Sequence, residues 1–91
     1  MTTGSHALDT DTIAAIATPS GRGGICVIRL SGPTAKAIGE HIAQRPLTHR
    51  NPVVTRFFDQ DNTAIDEGIA LYFSGPASFT GEDVTELHGH G

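Results

Sequence analysis

A single cysteine, Cys26, occurs among the 91 residues, so the chain cannot form an internal disulfide. Its neighbours Ile25 and Val27 point to a buried structural thiol rather than a reactive one. Tryptophan is absent, and four Phe and one Tyr are the only aromatic residues. Hydrophobic content of 37% is lean for one small domain, which predicts docking onto another surface. Basic residues are also few, six Lys plus Arg against ten acids, for a net charge of −4. A compact nucleic-acid binder presents a basic face, so no direct nucleic-acid binding is expected from this piece. No apolar run approaches the roughly 20 residues of a membrane span. One cysteine and no signal sequence predict a cytoplasmic protein.

Two catalytic signatures are missing as well. Pro19-Ser20-Gly21-Arg22-Gly23-Gly24 is glycine-rich, but it lacks the Gly-Lys-Ser/Thr ending and the following helix of a nucleotide-phosphate loop. It reads as a hairpin connection whose glycines permit positive φ or close backbone approach. No Gly-x-Ser-x-Gly elbow supports a nucleophilic serine.

What is present alternates. Met1–Thr10 is small and polar and is expected to be a flexible segment, with the folded domain over residues 11–91. Thr12–Thr18 reads as a strand with both faces apolar and therefore covered. Gly24–Ser31 is a β-branched strand with Ile25, Val27, Arg29 and Ser31 on one face. Ser31-Gly32-Pro33 opens a helix over about 33–44, capped by Ser31 or Gly32 with Pro33 in the first turn. Its apolar stripe is Ala35, Ile38 and Ile42, while Lys36, Glu40 and Gln44 face out, and Arg45-Pro46 stops it. Leu47–Pro52 is a polar connection. Strands Val53–Phe58 and Ile65–Phe73 flank the hairpin turn Asp59–Thr63. Gly68 and Ala70 leave room for a helix. After the turn at Gly75-Pro76, Asp83–His88 is the last strand.

The order β-β-α-β-β-β predicts an α+β fold with one helix on a mostly antiparallel sheet. One helix does not cover five strands. A second helix after Gly91, or another subunit, is expected to fill the gap, and Gly89-His90-Gly91 reads as a cut through something longer.

Three groups of residues invite a chemical reading. His88-x-His90 points two rings the same way, but no cysteine or helical His-x-x-x-His completes a metal set, so no metal site is expected. Glu82 and Asp83 suit a solvated turn or a cap. Glu86 stands in mid-strand, where a half-buried carboxylate needs a partner. Arg29 or a ligand with adjacent N–H donors would serve, and the residues alone leave that choice open.

Two stretches together resemble one family. They are Ala17-Thr18-Pro19-Ser20-Gly21-Arg22-Gly23-Gly24-Ile25 with Val27-Ile28-Arg29-Leu30-Ser31-Gly32, and Gly75-Pro76-x-Ser78-Phe79-Thr80-Gly81-Glu82-Asp83-Val84-x-Glu86-Leu87-x-Gly89-His90-Gly91. With Asp66-x-Gly68-Ile69-Ala70-Leu71 they resemble the N-terminal domain of the tRNA-modification GTPases MnmE/TrmE. The resemblance implies a fold similar to the tetrahydrofolate-binding domain of aminomethyltransferases. It implies a homodimer and a bound folate, formyl-tetrahydrofolate or methylene-tetrahydrofolate. Carried over by position, Arg29 and Glu86 match folate contacts, with Glu86 facing the aminopyrimidinone edge of the pterin. The resemblance also implies a whole protein that modifies the wobble uridine of tRNA with an MnmG-like flavoprotein. GTP, potassium and magnesium would be held by a GTPase domain outside this sequence. No catalytic residue is expected in this piece, and folate affinity should fall without the family's further basic contact. The alternative is a non-catalytic dimerisation or docking module with no ligand of its own, in which Arg29 and Glu86 pair and are sealed off. A free-standing aminomethyltransferase-like enzyme would need a longer chain.

Overall fold

A computed structural model describes residues 12–17, 25–75 and 81–90. The expectations for Met1–Thr10, for the glycine-rich loop at 19–24 and for Pro76 lie outside the described residues. The described elements are β1 (Ile13–Ile16), β2 (Ile25–Ser31), α1 (Ala35–Ala43), β3 (Val53–Phe58), β4 (Ala64–Phe73) and β5 (Val84–His90), in the predicted order. They form one five-stranded sheet ordered β1-β2-β5-β4-β3, antiparallel throughout. The last strand in sequence therefore lies at the centre, between β2 and β4.

The helix lies on one face. Ala35, Gly39 and Ala43 are its buried residues, a stripe of small side chains at intervals of four. The sequence predicts a stripe of Ala35, Ile38 and Ile42, so the helix is rolled by part of a turn. Ile38 is 36% exposed and Ile42 only partly buried against the core. The roll follows from Gly39. A β-carbon there would sit 2.5 Å from Cγ2 of Thr85, so only glycine brings the helix axis this close to β5. The same contact lets Thr85, fully buried, donate its hydroxyl to the Ala35 carbonyl at 2.8 Å. A buried hydroxyl is thereby satisfied and the helix is tied to the central strand.

The helix ends differ from expectation. Thr34, not Ser31 or Gly32, is the residue before the first turn, and Pro33 lies outside the helix. Thr34 makes no side-chain cap. Its N–H instead donates to the Thr12 hydroxyl at 2.9 Å, which binds the start of β1 to the start of α1. Gln44 closes the helix in the left-handed region at φ 56°, just before Arg45-Pro46.

Leu47, expected in a polar connection, is 1% exposed and belongs to the core with Leu30, Val53, Phe57, Ala70, Tyr72 and Leu87. Its full burial contributes roughly 1.5–3 kcal/mol. Glu40, expected to face out, fixes that segment by accepting the Leu47 N–H at 2.7 Å. The turn at 59–63 has its expected chemistry: Asp59 Oδ1 accepts from the N–H groups of Asp61 and Thr63, and Asn62 takes φ 62°. Gly68 answers to a different neighbour from the one expected. A β-carbon there would collide with the His88 carbonyl of β5, so it serves strand approach and not helix packing.

Among the described residues one helix packs on the sheet, and it leaves part of the sheet uncovered. β1 is not covered on both faces as its apolar residues predict; Ile13 and Ile16 are 62% and 71% exposed. An edge strand has one neighbour, and α1 packs on β2 to β5. Past Ile42 an apolar cleft of about 220 Å³ opens between Cys26, Ile28, Phe57 and Leu87. Cys26 is half-buried there, less enclosed than expected.

Candidate functional site

Strand alternation puts Arg29 of β2 and Glu86 of β5 on the sheet face away from α1. The two residues are 57 apart in sequence, yet the β2–β5 register sets them directly opposite each other. Ala15 lies beyond Arg29 on β1, and Leu71 beyond Glu86 on β4. The two informative sequence motifs thus meet in one cross-strand row at mid-sheet.

Arg29 donates twice to a single oxygen of Glu86, from Nε at 3.0 Å and Nη2 at 2.7 Å, both to Oε2. The other oxygen, Oε1, lies 2.8 Å from Nε2 of His88, two residues along β5. Side-chain exposure is 31% for Arg29, 14% for Glu86 and 34% for His88. Burial by itself would raise the Glu86 carboxyl. Hydrogen bonds from His88 and Arg29, with the Arg29 charge, outweigh it and hold the group below its ordinary value of 4.5. Glu86 is therefore a carboxylate at neutral pH and offers only acceptors. Nε2 of His88 must then carry the proton and donate it.

The Arg29–Glu86 pairing foreseen as one of two alternatives is present. It is paired but not sealed: the cluster keeps an open side on a sheet face that also exposes Ile13, Ile25, Val54 and Ile69.

The neighbouring acids stay apart from it. Glu82 accepts the Ser31 hydroxyl at 2.8 Å, and Asp83 accepts the Gly75 N–H at 3.0 Å, so both fasten the approach to β5. Glu82 precedes the strand, in the turn its sequence suits. His88 and His90 do not converge. His90 Nδ1 lies 2.8 Å from Oδ1 of Asp66, and the His90 N–H donates to Oδ2 at 2.8 Å. The β4–β5 ladder ends at Ile69 and His88, and the Asp66 side chain takes over where the backbone partner stops. Gly89 permits this, since a β-carbon there would meet Asp66 Oδ2 at 2.5 Å. Among the described residues no group of three or more His, Cys, Asp or Glu could hold a metal ion.

His88 and Asp66 carry roles that sequence reasoning does not assign. Period two places His88 on the Glu86 face, and that is the available signal. Nothing local links Asp66 to His90 across 24 residues. His49 is similar: its Nδ1 accepts the Ser74 N–H at 2.8 Å, from a segment whose sequence suggests only a connection.

The family described as GTP-binding protein TrmE N-terminus matches residues 12–91. The chain is 58% identical over 81 residues to a tRNA modification GTPase MnmE of Pseudomonas putida, covering 89% of this chain and 18% of that protein. For the Photobacterium profundum protein of the same name the identity is 56% over 82 residues, 90% of this chain and 18% of the relative. The Acinetobacter baylyi relative, also a tRNA modification GTPase MnmE, is 57% identical over 81 residues, with 88% and 18% covered. The chain thus spans less than a fifth of the length of these relatives. No helix among the described residues is long and apolar enough to cross a membrane. With the matching region running from the first described strand through the Arg29–Glu86 row to the end of β5, the chain belongs to the TrmE N-terminal domain family.

Proposed function

We propose that this chain is the tetrahydrofolate-binding and homodimerisation domain of a tRNA modification GTPase. Arg29 and Glu86 would hold formyl-tetrahydrofolate or methylene-tetrahydrofolate. The observation that carries this is the Glu86 carboxylate, ionised, 14% exposed and fixed by Arg29 on an open sheet face. A half-buried carboxylate on a rigid central strand suits the adjacent N–H donors of a pterin edge. Its charge, its position at mid-sheet and its open side all fit such a group. The exposed Ile13, Ile25 and Val54 around it, at 62%, 70% and 77%, suit a face shared with a second copy.

In this reading the whole protein acts on the wobble uridine of tRNA in the cytoplasm, with an MnmG-like flavoprotein. GTP, potassium and magnesium belong to its GTPase domain, and this domain contributes no catalytic group.

One observation favours a second reading, a dimerisation or docking module without a ligand. Arg29 and Glu86 satisfy each other within the chain, as a structural pair would. Calorimetry with formyl-tetrahydrofolate on the full-length protein separates the two. Binding that Glu86→Ala abolishes is expected; undiminished binding by that variant would remove the site assignment. Sedimentation of the same samples tests the dimer.

A further inference from the structure

The acceptors of Glu86 are nearly all in use. A carboxylate offers about four lone-pair sites, two on each oxygen. Arg29 takes both on Oε2, and His88 takes one on Oε1. Among the described residues, one site on Oε1 remains. A ligand edge with two adjacent N–H donors needs two, so one existing bond must open before such an edge can dock.

The bonds differ in what they cost to open. Arg29 makes a charge-assisted fork, two donors converging on one oxygen, and such pairs are the strong ones. His88 makes one bond, and its side chain is 34% exposed, so it has a path outward into solvent. Releasing His88 frees both sites of Oε1. A ligand edge would then fork onto Oε1 as Arg29 already forks onto Oε2.

We propose that His88 is the gate of the Glu86 site: it takes Oε1 at 2.8 Å and must swing away when a heterocycle with paired N–H donors binds. This rests on the reading that Glu86 takes the ligand. His88 then sets affinity by competing for the carboxylate, opposite in sign to a residue that merely holds Glu86 in place.

The experiment is calorimetry with formyl-tetrahydrofolate on the full-length protein and four variants: His88→Phe, His88→Ala, His88→Gln and Glu86→Gln. Removing a competing hydrogen bond should tighten binding by His88→Phe and His88→Ala about three- to tenfold. His88→Gln keeps an N–H donor of similar reach and should bind as the parent does. Glu86→Gln should lose binding. If Glu86→Gln loses binding but the Phe and Ala variants bind equally or more weakly, the gate is overturned and the site reading stands. If Glu86→Gln binds as the parent does, the site reading itself is overturned, and the gate with it. Should the Phe and Ala variants fail to fold, the parent still decides. The His88 Nε2–H resonance in ¹⁵N-labelled protein should move on saturation with formyl-tetrahydrofolate, and an unmoved resonance overturns the gate.

Discussion

Among the described residues the sheet carries two carboxylate–histidine pairs, and they are built for different work. Glu86 and His88 lie at mid-strand in the central strand, with Arg29 as a third partner and Glu86 only 14% exposed. Asp66 and His90 lie where the β4–β5 ladder gives out, with His90 73% exposed and the bond made partly to backbone. In the first pair the strand scaffold holds a charge that burial disfavours. In the second a charge replaces missing strand scaffold. A surface pair of the second kind contributes little and is screened by salt. The first is shielded enough for each hydrogen bond to matter.

Substitutions in the two pairs put that contrast at risk. The largest effect is expected from Glu86→Ala, which leaves Arg29 and His88 facing a gap and should lower unfolding stability by about 1–3 kcal/mol in denaturant melts. The corresponding Asp66→Ala should be much milder. A loss at position 66 equal to that at 86 would erase the distinction between the pairs.

Next in size is Arg29→Lys. An ammonium keeps the charge but not the planar fork, so about 1 kcal/mol should be lost. The Glu86 titration should move up toward its ordinary 4.5 in carbon-detected NMR. The sign follows from the folded value lying below the unfolded one. Glu86 contributes stability above 4.5, and that contribution disappears as pH falls through the depressed folded value. The variant should therefore be less acid-sensitive at this position than the parent.

The smallest effect belongs to the outer pair. Hydrogen bonds to the His90 side chain and backbone, and to the Glu67 N–H, hold Asp66 below 3.8. The hydrogen bond and charge of Asp66 raise His90 above 6.5. Asp66 contributes above 3.8 and loses this as pH falls through its folded value; His90 contributes below 6.5 and loses this as pH rises through its folded value. Both act fully between 3.8 and 6.5. Protection of the His90 amide from hydrogen exchange, taken relative to its intrinsic rate at each pH, should be greatest in that window, and Asp66→Asn should flatten the profile. A parent profile with no fall in protection on either side of that window would show that the pair is inert.

Much of the fold is legible in the residues. Strand and helix order can be read because periods of two and of four survive in sequence, and β3 at Val53–Phe58 has the predicted bounds. β5 runs two residues past its predicted end because Gly89 and His90 still pair with Cys26 and Ile25 of β2, while Asp66 holds the other side, and neither contact has a local signal. The helix roll is illegible for the same kind of reason. Ile38 and Ile42 are the more apolar residues, but the close approach of Gly39 to Thr85 sets which face turns inward. Leu47 is hidden among polar neighbours because a single buried residue makes no period.

For the candidate site the division is sharper. Unaided, the order of residues marks Arg29, a charge on an otherwise apolar strand face, and Glu86, a carboxylate in mid-strand, as unusual, and it carries the TrmE N-terminal motifs. That the two face each other, that both Arg29 donors fall on one oxygen, and that His88 holds the other are products of the folded sheet alone. Alternation is a property of one strand and can be read along it. Register belongs to two strands at once, and it is chosen by the packing of the whole sheet.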